Sequence, residues 1–379
     1  MELTTQDSGP QVVAWETTRR CALRCRHCRG SARDHEYGGE LNTREGTRLI
    51  DALAAFSKPM LILTGGEPMS RPDIYELARH ATDQGLRVVM APCGPLITQR
   101  SAARMKQAGV GAISISLDGA SPWTHDAFRG VDGAFDAALR GLAEARKAGI
   151  PFQINSTVTR DSADDLPALL DLAVRLGART LDLFFLVPTG RGKALAALAL
   201  PPDRHETVLN WVYDADRRSP IRVRSTCAPH YARVRLQRNA AEGDAPAQRG
   251  SGCMAGRGFV FVSHTGTLQP CGFLDVPCGD LRSGDFDFRR LYEQSDVFLA
   301  LSDVDGYRGK CGVCEFRRVC GGCRARAYAA GGDFLGEEPF CAYLPQGGDP
   351  RQPDAAPASM PTPAAAARLP RHSLAEVTA

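Results

Sequence analysis

The sequence predicts an α/β protein in which a parallel sheet with flanking helices is followed by a small cysteine-rich region. Three observations predict it. Short apolar runs alternate with amphipathic segments from residue 12 to about 187. Seven cysteines stand in ordered spacing between 253 and 341. The residue types that carry chemistry fall where the early apolar runs end.

Each element follows from local pattern. VVAWET, MLILT, LRVVMA, AISISL, FQINSTV and TLDLFFLV are short, β-branched, apolar runs and read as buried strands. Between them TREGTRLIDALAAF, DIYELARHATDQG, ITQRSAARMKQAG, GAFDAALRGLAEARKAG and DDLPALLDLAVRLG place apolar residues near i, i+3 and i+4, with glycine stops, and read as helices. Six strand–helix units in alternation build a parallel sheet whose functional groups sit at the C-terminal strand ends. Residues 188–250 read as a bridge with a helix near DRHETVLNWVYDADRR and a Gly/Ala/Gln-rich mobile loop; residues 251–344 form the cysteine-rich domain; 345–379, rich in Pro and Ala, reads as a disordered tail.

The 379 residues are enough for a large core and more than one domain. Lys and Arg number 46 against 43 Asp and Glu, without a block of one sign, so nucleic acid is not an expected partner. No run of apolar residues is long enough to span a membrane, and the N-terminal MELTTQDSG has no signal-peptide pattern, so a cytoplasmic protein is expected. Thirteen cysteines in a reducing compartment point to metal ligation rather than disulfides.

The most specific motif is Cys21, Cys25 and Cys28 in CALRCRHC, directly after the first strand. Three closely spaced thiolates hold a [4Fe–4S] cluster while leaving one iron open, whereas a structural zinc site would close with a fourth ligand. The second is LILTGGEP, in which Gly65, Gly66, Glu67 and Pro68 follow the second strand; two glycines let backbone approach a ligand closely. On these residues the chain resembles the radical S-adenosylmethionine (SAM) superfamily. The resemblance implies a partial (β/α)6 barrel, a catalytic cluster held by Cys21, Cys25 and Cys28, and SAM on the open iron. It further implies that backbone and Glu67 oxygens in GGEP accept from the SAM amino group, that Ser116 and Arg129 meet its carboxylate, that Asn155 approaches ribose or substrate, and that Leu186 and Val187 lie against adenine. Outside that resemblance, Arg129 reads as a surface ion pair and Asn155 as a structural strand-end residue. His125 and Asp126 read as structural caps.

Cys253, Gly266, Cys271, Cys311, Cys314, Cys320, Cys323 and Cys341 are similar to the pattern of the SPASM extension, which holds two auxiliary [4Fe–4S] clusters. CGGC departs from it, with two residues between Cys320 and Cys323 where the pattern has three. The resemblance gives Cys311, Cys314, Cys320 and Cys341 to one cluster and Cys253, Cys271 and Cys323 to the other, which is one ligand short; Cys227, Cys278 or an open iron could complete it, with Cys227 or an open site preferred. A zinc ribbon is the competing reading of CGVC and CGGC. Cys93 and Cys278 otherwise read as small buried hydrophobes.

The implied chemistry is reductive cleavage of SAM to a 5′-deoxyadenosyl radical, hydrogen abstraction from substrate, and removal of the remaining electron by the auxiliary clusters. CAPHYARV, CMAGRGFVFVSHTGTLQPC and the CGVC to EEPFC segment look most like the alternative haem and haem d branch, which modifies tetrapyrrole propionates, with Arg257, Arg324 and Arg326 available as basic partners or, alternatively, offsetting thiolate charge. Maturation of a ribosomal peptide and modification of a small metabolite or nucleoside sugar are the other enzymatic readings, and an iron–sulfur electron carrier or scaffold is the non-enzymatic one. An external donor of flavodoxin or ferredoxin type is the expected partner besides the small-molecule or peptide substrate.

Overall fold

A computed structural model describes residues 9–243 and 252–346. The mobile loop expected before residue 250 and nearly all of the expected tail lie outside the described residues. Ten strands form one sheet: β1 (Val12–Thr18), β2 (Met60–Gly65), β3 (Val88–Met90), β4 (Ala112–Ser116), β5 (Phe152–Val158), β6 (Thr180–Phe185), β7 (Arg222–Thr226), β8 (Phe259–Val262), β9 (Thr267–Gln269) and β10 (Gly279–Asp280). Their order is β10-β9-β8-β1-β2-β3-β4-β5-β6-β7. The six expected strands are the central, wholly parallel run. The sheet extends past them on both sides, by β7 beside β6 and by β8 pairing parallel to β1, with β9 and β10 antiparallel beyond it.

Of these extra strands, β7 escaped the apolar-run reading for a physical reason, whereas β8, FVFV, is itself a short apolar run. RVRST in β7 alternates charge with a single core residue, Val223, and looks like loop without its neighbour. Within the described residues the bridge is therefore partly sheet. The helices expected before β7 form at Thr43–Phe56, Ile74–Asp83, Gln99–Gln107, Ala134–Lys147, Leu166–Leu176 and Pro202–Arg218. The first is closed by a capping box in which Asn42 accepts from Glu45 N and the Glu45 side chain reaches back. Two further helices, Pro122–Arg129 and His230–Glu242, bury mainly polar residues, His125 and Arg129 in the first and His230 and Arg233 in the second.

The strands divide by face. Val13, Trp15, Leu61, Leu63, Ile113, Ile115, Ile154, Leu181 and Leu183 are fully buried against the helices. Trp15 lies so close to the helix Thr43–Phe56 that a Cβ on Gly46 would come within 2.6 Å of its ring. The opposite face is polar: Glu16 is in register with Thr64, Ser116 with Asn155, Asn155 with Asp182, and Asp182 with Arg224. Neighbours in register share a face, so these groups line the concave side of the sheet.

One carboxylate on that side ties the architecture together. Glu16, 1 % exposed, pairs with Arg19 at 3.1 Å, Arg29 at 3.4 Å and His264 Nδ1 at 3.0 Å. Arg19 and Arg29 flank the cysteine triplet, and His264 belongs to the turn between β8 and β9. Burial alone would raise the Glu16 carboxyl, but Arg29, the His264 hydrogen bond and Arg19 outweigh it and hold the pKa at about 2 instead of 4.5. A depressed carboxyl stabilises the fold above its ordinary pKa and loses that contribution as pH falls toward the folded value. Iron-free protein is expected to lose about 3 kcal/mol of stability between pH 4.5 and 2 through this group. Denaturant titrations across that range should show the loss in wild type and a shallower pH dependence in Glu16→Gln.

Candidate active site and cysteine centres

The loop after β1 turns its cysteines inward and its arginines outward. Cys21 and Cys25 are buried and Cys28 half-buried, while Arg20, Arg24 and Arg26 are exposed. The backbone is fixed from three sides. Arg24 N and Arg26 N donate to the carbonyls of Arg129 and Phe128. Arg191, in the 3-10 segment Gly190–Leu198 that follows β6, donates from Nε to Cys25 O at 2.8 Å and from Nη1 to Ala32 O at 2.6 Å, while its backbone N reaches Cys28 O. A Cβ on Gly190 would lie 2.1 Å from Arg29 O, so that position admits only glycine. Nothing in the sequence pattern marks Arg191, because its acceptors are carbonyls more than 150 residues away in sequence.

The GGEP turn is pressed against the same loop. Gly66 N donates to Thr18 O at 2.8 Å and Glu67 N to Arg20 O at 2.7 Å. A Cβ on Gly65 would fall 2.2 Å from Thr18 O, and one on Gly66 2.4 and 2.5 Å from Arg20 O and Arg19 O. The glycines thus permit close approach of two backbone segments, where the sequence suggested approach to a ligand. Glu67 is buried, its Oε1 accepting from Met69 N at 2.9 Å and its Oε2 from Cys93 N at 2.7 Å, so the carboxylate pins β2 to the loop after β3. Pro68 opens the one-turn helix that follows.

Cys93 departs from its reading as an inert hydrophobe. Its Sγ lies 3.7 Å from Cys21 Sγ and 3.6 Å from Gly66 O, to which the thiol donates. It is a fourth sulfur in the centre, and its donated proton suits a hydrogen-bond partner better than a ligand.

Across the site, Arg129 is buried rather than on the surface. Its Nη1 donates to Cys25 Sγ at 3.6 Å, and its Nη2 stands 2.6 Å from Asp118 Oδ2 in an ion pair whose angles fall short of a hydrogen bond. Asp118 also accepts from Thr157 N at 2.7 Å and donates its own backbone N–H to His125 Nδ1, which gives His125 a structural role. Asp126 caps the next helix by accepting from Gly133 N and Phe135 N. Arg129 Nε is buried without a partner. A guanidinium donor orphaned beside a cysteine centre fits a carboxylate ligand, which would satisfy it in the planar geometry that Arg prefers. Ser116 and Asn155 sit side by side in register on the same face, with Asn155 Oδ1 accepting from Gln153 Nε2 at 2.8 Å. Leu186 and Val187 are almost fully buried among apolar side chains, as any core strand end would be. His27 stacks on Phe128 at 4.4 Å, and burial lowers its pKa to about 4, so it stands neutral at the back of the loop.

The C-terminal cysteines separate into two groups. Cys311, Cys314, Cys320 and Cys341 line one pocket that is partly open to solvent. N–H donors point at two of these sulfurs: Gly322 N to Cys320 Sγ at 3.4 Å and Glu338 N to Cys311 Sγ at 3.3 Å. Donors of this kind are the usual means of tuning an iron–sulfur cluster. In the second group, Cys253, Cys271 and Cys323 lie within electrostatic reach of one another, and Cys227 joins them close enough to hydrogen-bond Cys323. That hydrogen bond holds Cys323 down, to about 7, and pushes Cys227 well up. Cys227 has φ 59°, a left-handed conformation that costs a side-chain-bearing residue energy and is kept only where the surroundings over-determine it. Cys278 stands apart, its Sγ donating to Val276 O, and is half-buried against the core rather than fully buried as the sequence suggested.

The CGGC departure has a local explanation. Gly321 and Gly322 both have positive φ, at 70° and 63°, so two residues turn the chain sharply enough to send Cys320 and Cys323 into different groups. Arg324 and Arg326 are fully buried. Arg324 donates to Phe334 O, Gly336 O and Cys311 Sγ, and Arg326 pairs with Glu338 at 2.9 Å. Arg326 Nη1 has no partner, but both side chains are fully buried in the cysteine-rich region and so are out of reach of substrate carboxylates, which corrects one expectation and favours its alternative. Arg257 is half-buried.

The comparisons agree with this geometry. Residues 15–173 match the model of the radical SAM superfamily. An AdoMet-dependent heme synthase of Nitratidesulfovibrio vulgaris is 46% identical over 352 residues, spanning 90% of this chain and 95% of that protein. The chain belongs to the radical SAM superfamily. A second AdoMet-dependent heme synthase, from Methanosarcina barkeri, is 45% identical over 89% of this chain and 98% of its own length. In fold the protein resembles Streptococcus suis SuiB bound to S-adenosylmethionine, at a TM-score of 0.69 and 15% identity, covering 89% of this chain and 78% of that one. This radical SAM enzyme thus has the partial barrel and cysteine-rich C-terminal region its sequence suggests. Membership implies SAM and a [4Fe–4S] cluster. Among the described residues no helix is long and apolar enough to cross a membrane.

Gly66→Ala is expected to destabilise by about 1–3 kcal/mol through overpacking against backbone that cannot rotate away. Gly331→Ala, where a Cβ meets nothing within 4 Å, should be neutral. Thermal unfolding of the two variants beside wild type checks the contrast.

Proposed function

We propose that this radical SAM enzyme oxidatively decarboxylates propionate side chains of a tetrapyrrole, a reaction of haem biosynthesis. The observation that carries this reading is 46% identity to a heme synthase across 95% of that protein's length, so the similarity reaches the cysteine-rich region as well as the barrel.

In this reading Cys21, Cys25 and Cys28 hold the catalytic [4Fe–4S] cluster. Gly65, Gly66, Glu67 and Pro68 shape the wall beside it, where backbone carbonyls of the turn would accept from the SAM amino group while the Glu67 carboxylate keeps the turn in place. Arg129, fixed by Asp118, offers its free Nε to the SAM carboxylate, and Ser116 and Asn155 extend the polar wall toward ribose and substrate. Cys311, Cys314, Cys320 and Cys341 hold one auxiliary [4Fe–4S] cluster, and Cys253, Cys271, Cys323 and Cys227 the other, within an auxiliary-cluster domain of residues 251–344 that takes Cys227 from the 188–250 bridge next to the 1–187 barrel. When bound, these groups supply a hydrogen-abstracting adenosyl radical and an acceptor for the electron left on substrate. The propionate loses one hydrogen atom, one electron and carbon dioxide and becomes a vinyl group, so the atoms and charge balance. The Arg191 clamp holds the cysteine loop in place through Cys25 O and Ala32 O. A cytoplasmic flavodoxin or ferredoxin would supply reducing electrons.

Anaerobic reconstitution should load about twelve irons in wild type and about four fewer in a Cys21→Ala/Cys25→Ala/Cys28→Ala variant. With SAM, dithionite and a propionate-bearing iron tetrapyrrole, mass spectrometry should find product lighter by carbon dioxide and two hydrogens per side chain, from wild type alone. Deoxyadenosine without any change in the tetrapyrrole would overturn the substrate assignment and leave the radical chemistry standing.

A further inference from the structure

Two buried residues reach both C-terminal cysteine groups: Arg324, whose Nη2 donates to Cys311 Sγ at 3.5 Å and whose backbone N–H bonds Cys253, and Glu338, the only one of the two that is acidic. Glu338 is fully buried. Its backbone N–H donates to Cys311 Sγ at 3.3 Å, in the group that lines the pocket. Its carboxylate Oε2 accepts from Cys323 N at 2.8 Å, in the group that includes Cys227. The residue therefore makes a continuous path of covalent bonds and two hydrogen bonds from one group to the other. Arg326 holds the carboxylate with two donors, Nε at 2.9 Å to Oε1 and Nη2 at 3.2 Å to Oε2, and Phe340 N adds a third at 3.1 Å. His230 Nε2 stands 3.7 Å from Oε2, and neither ring nitrogen has a hydrogen-bond partner, so the imidazole leaves the carboxylate paired mainly to Arg326.

We propose that Glu338 is a positioning residue that bridges the two auxiliary clusters and, balanced by Arg326, sets both reduction potentials together through one buried charge. The proposal rests on the reading that each C-terminal cysteine group holds a cluster. A charge in a low-dielectric interior acts over several ångströms with little screening, so one placed between two centres is felt by both. Burying a carboxylate is costly unless it is paired, and a residue needed only to pack could be apolar. Glu338 instead spends each oxygen on a group that orients a cysteine or balances a charge.

The test is a redox titration of the reconstituted full-length protein, followed by electron paramagnetic resonance, in wild type and three variants. Glu338→Gln keeps the shape and removes the negative charge, leaving Arg326 unbalanced; both auxiliary potentials should rise, because added positive charge favours the reduced cluster. Arg326→Gln leaves the carboxylate unbalanced, and both should fall. In the double variant Glu338→Gln/Arg326→Gln the charges cancel and both should return toward wild type. The opposite signs keep the test decisive if one single variant does not fold. Glu337→Gln, which changes an exposed neighbour that accepts from Lys310 N, should move neither potential. A shift confined to one cluster, no shift in fully loaded protein, or folded variants that load less iron would each overturn the bridge and leave Glu338 a structural role. A wild-type iron count short of two auxiliary clusters would overturn the underlying reading instead, and is read before any variant is made.

Discussion

The Glu16 carboxylate is the constraint on which the rest of the structure depends. It stands on the first strand, buried, with a positive group on each side of the cysteine triplet and a histidine from the C-terminal region. A buried carboxylate is tolerated only when its charge is met, so Arg19, Arg29 and His264 must come to it. Their arrival fixes three things at once: the entry and exit of the cysteine loop, and the docking of the turn between β8 and β9 on the barrel edge. Arg29 also lies over the Phe261 ring at 4.0 Å, extending the same clamp onto β8. The barrel and the cysteine-rich region are thus joined through the site, in one continuous sheet.

A common economy runs through the cysteine centres. Ionised thiols bring negative charge into a dry interior, and the chain answers with buried guanidinium groups and N–H donors. Arg129 serves Cys25, Arg324 serves Cys311, and backbone N–H groups of Ala32, Gly322 and Glu338 point at Cys28, Cys320 and Cys311. Arg129 and Arg326 are in turn balanced by a buried acid, Asp118 and Glu338 respectively. Each such arginine is positioned by its acid.

Local patterns carried the fold far. The six parallel strands and the long helices appear where apolar runs and amphipathic periodicity place them, because those signals reside within a few consecutive residues. The cysteine spacing was equally legible, since three thiols within one loop, or two in CGVC, converge by local geometry. What escaped the sequence was long-range pairing. Glu16 and His264 are 248 residues apart, and Arg191 finds its acceptors across the barrel. The seventh strand is a strand only because β6 lies beside it, and Cys93 and Glu338 acquire their partners only once separate loops meet. The two glycines of GGEP were read as a ligand cradle; the folded chain shows that backbone fills the space their missing side chains leave.

The proposed reaction turns on where the abstracted hydrogen atom originates. The most direct measurement supplies an iron tetrapyrrole carrying deuterium on the propionate carbon next to the ring and follows the label by mass spectrometry after anaerobic turnover with SAM and dithionite. Deuterium in the 5′-deoxyadenosine, together with a vinyl product, is the predicted result. Deoxyadenosine free of deuterium while the tetrapyrrole stays intact would contradict the assignment and send the search to another substrate on the concave face.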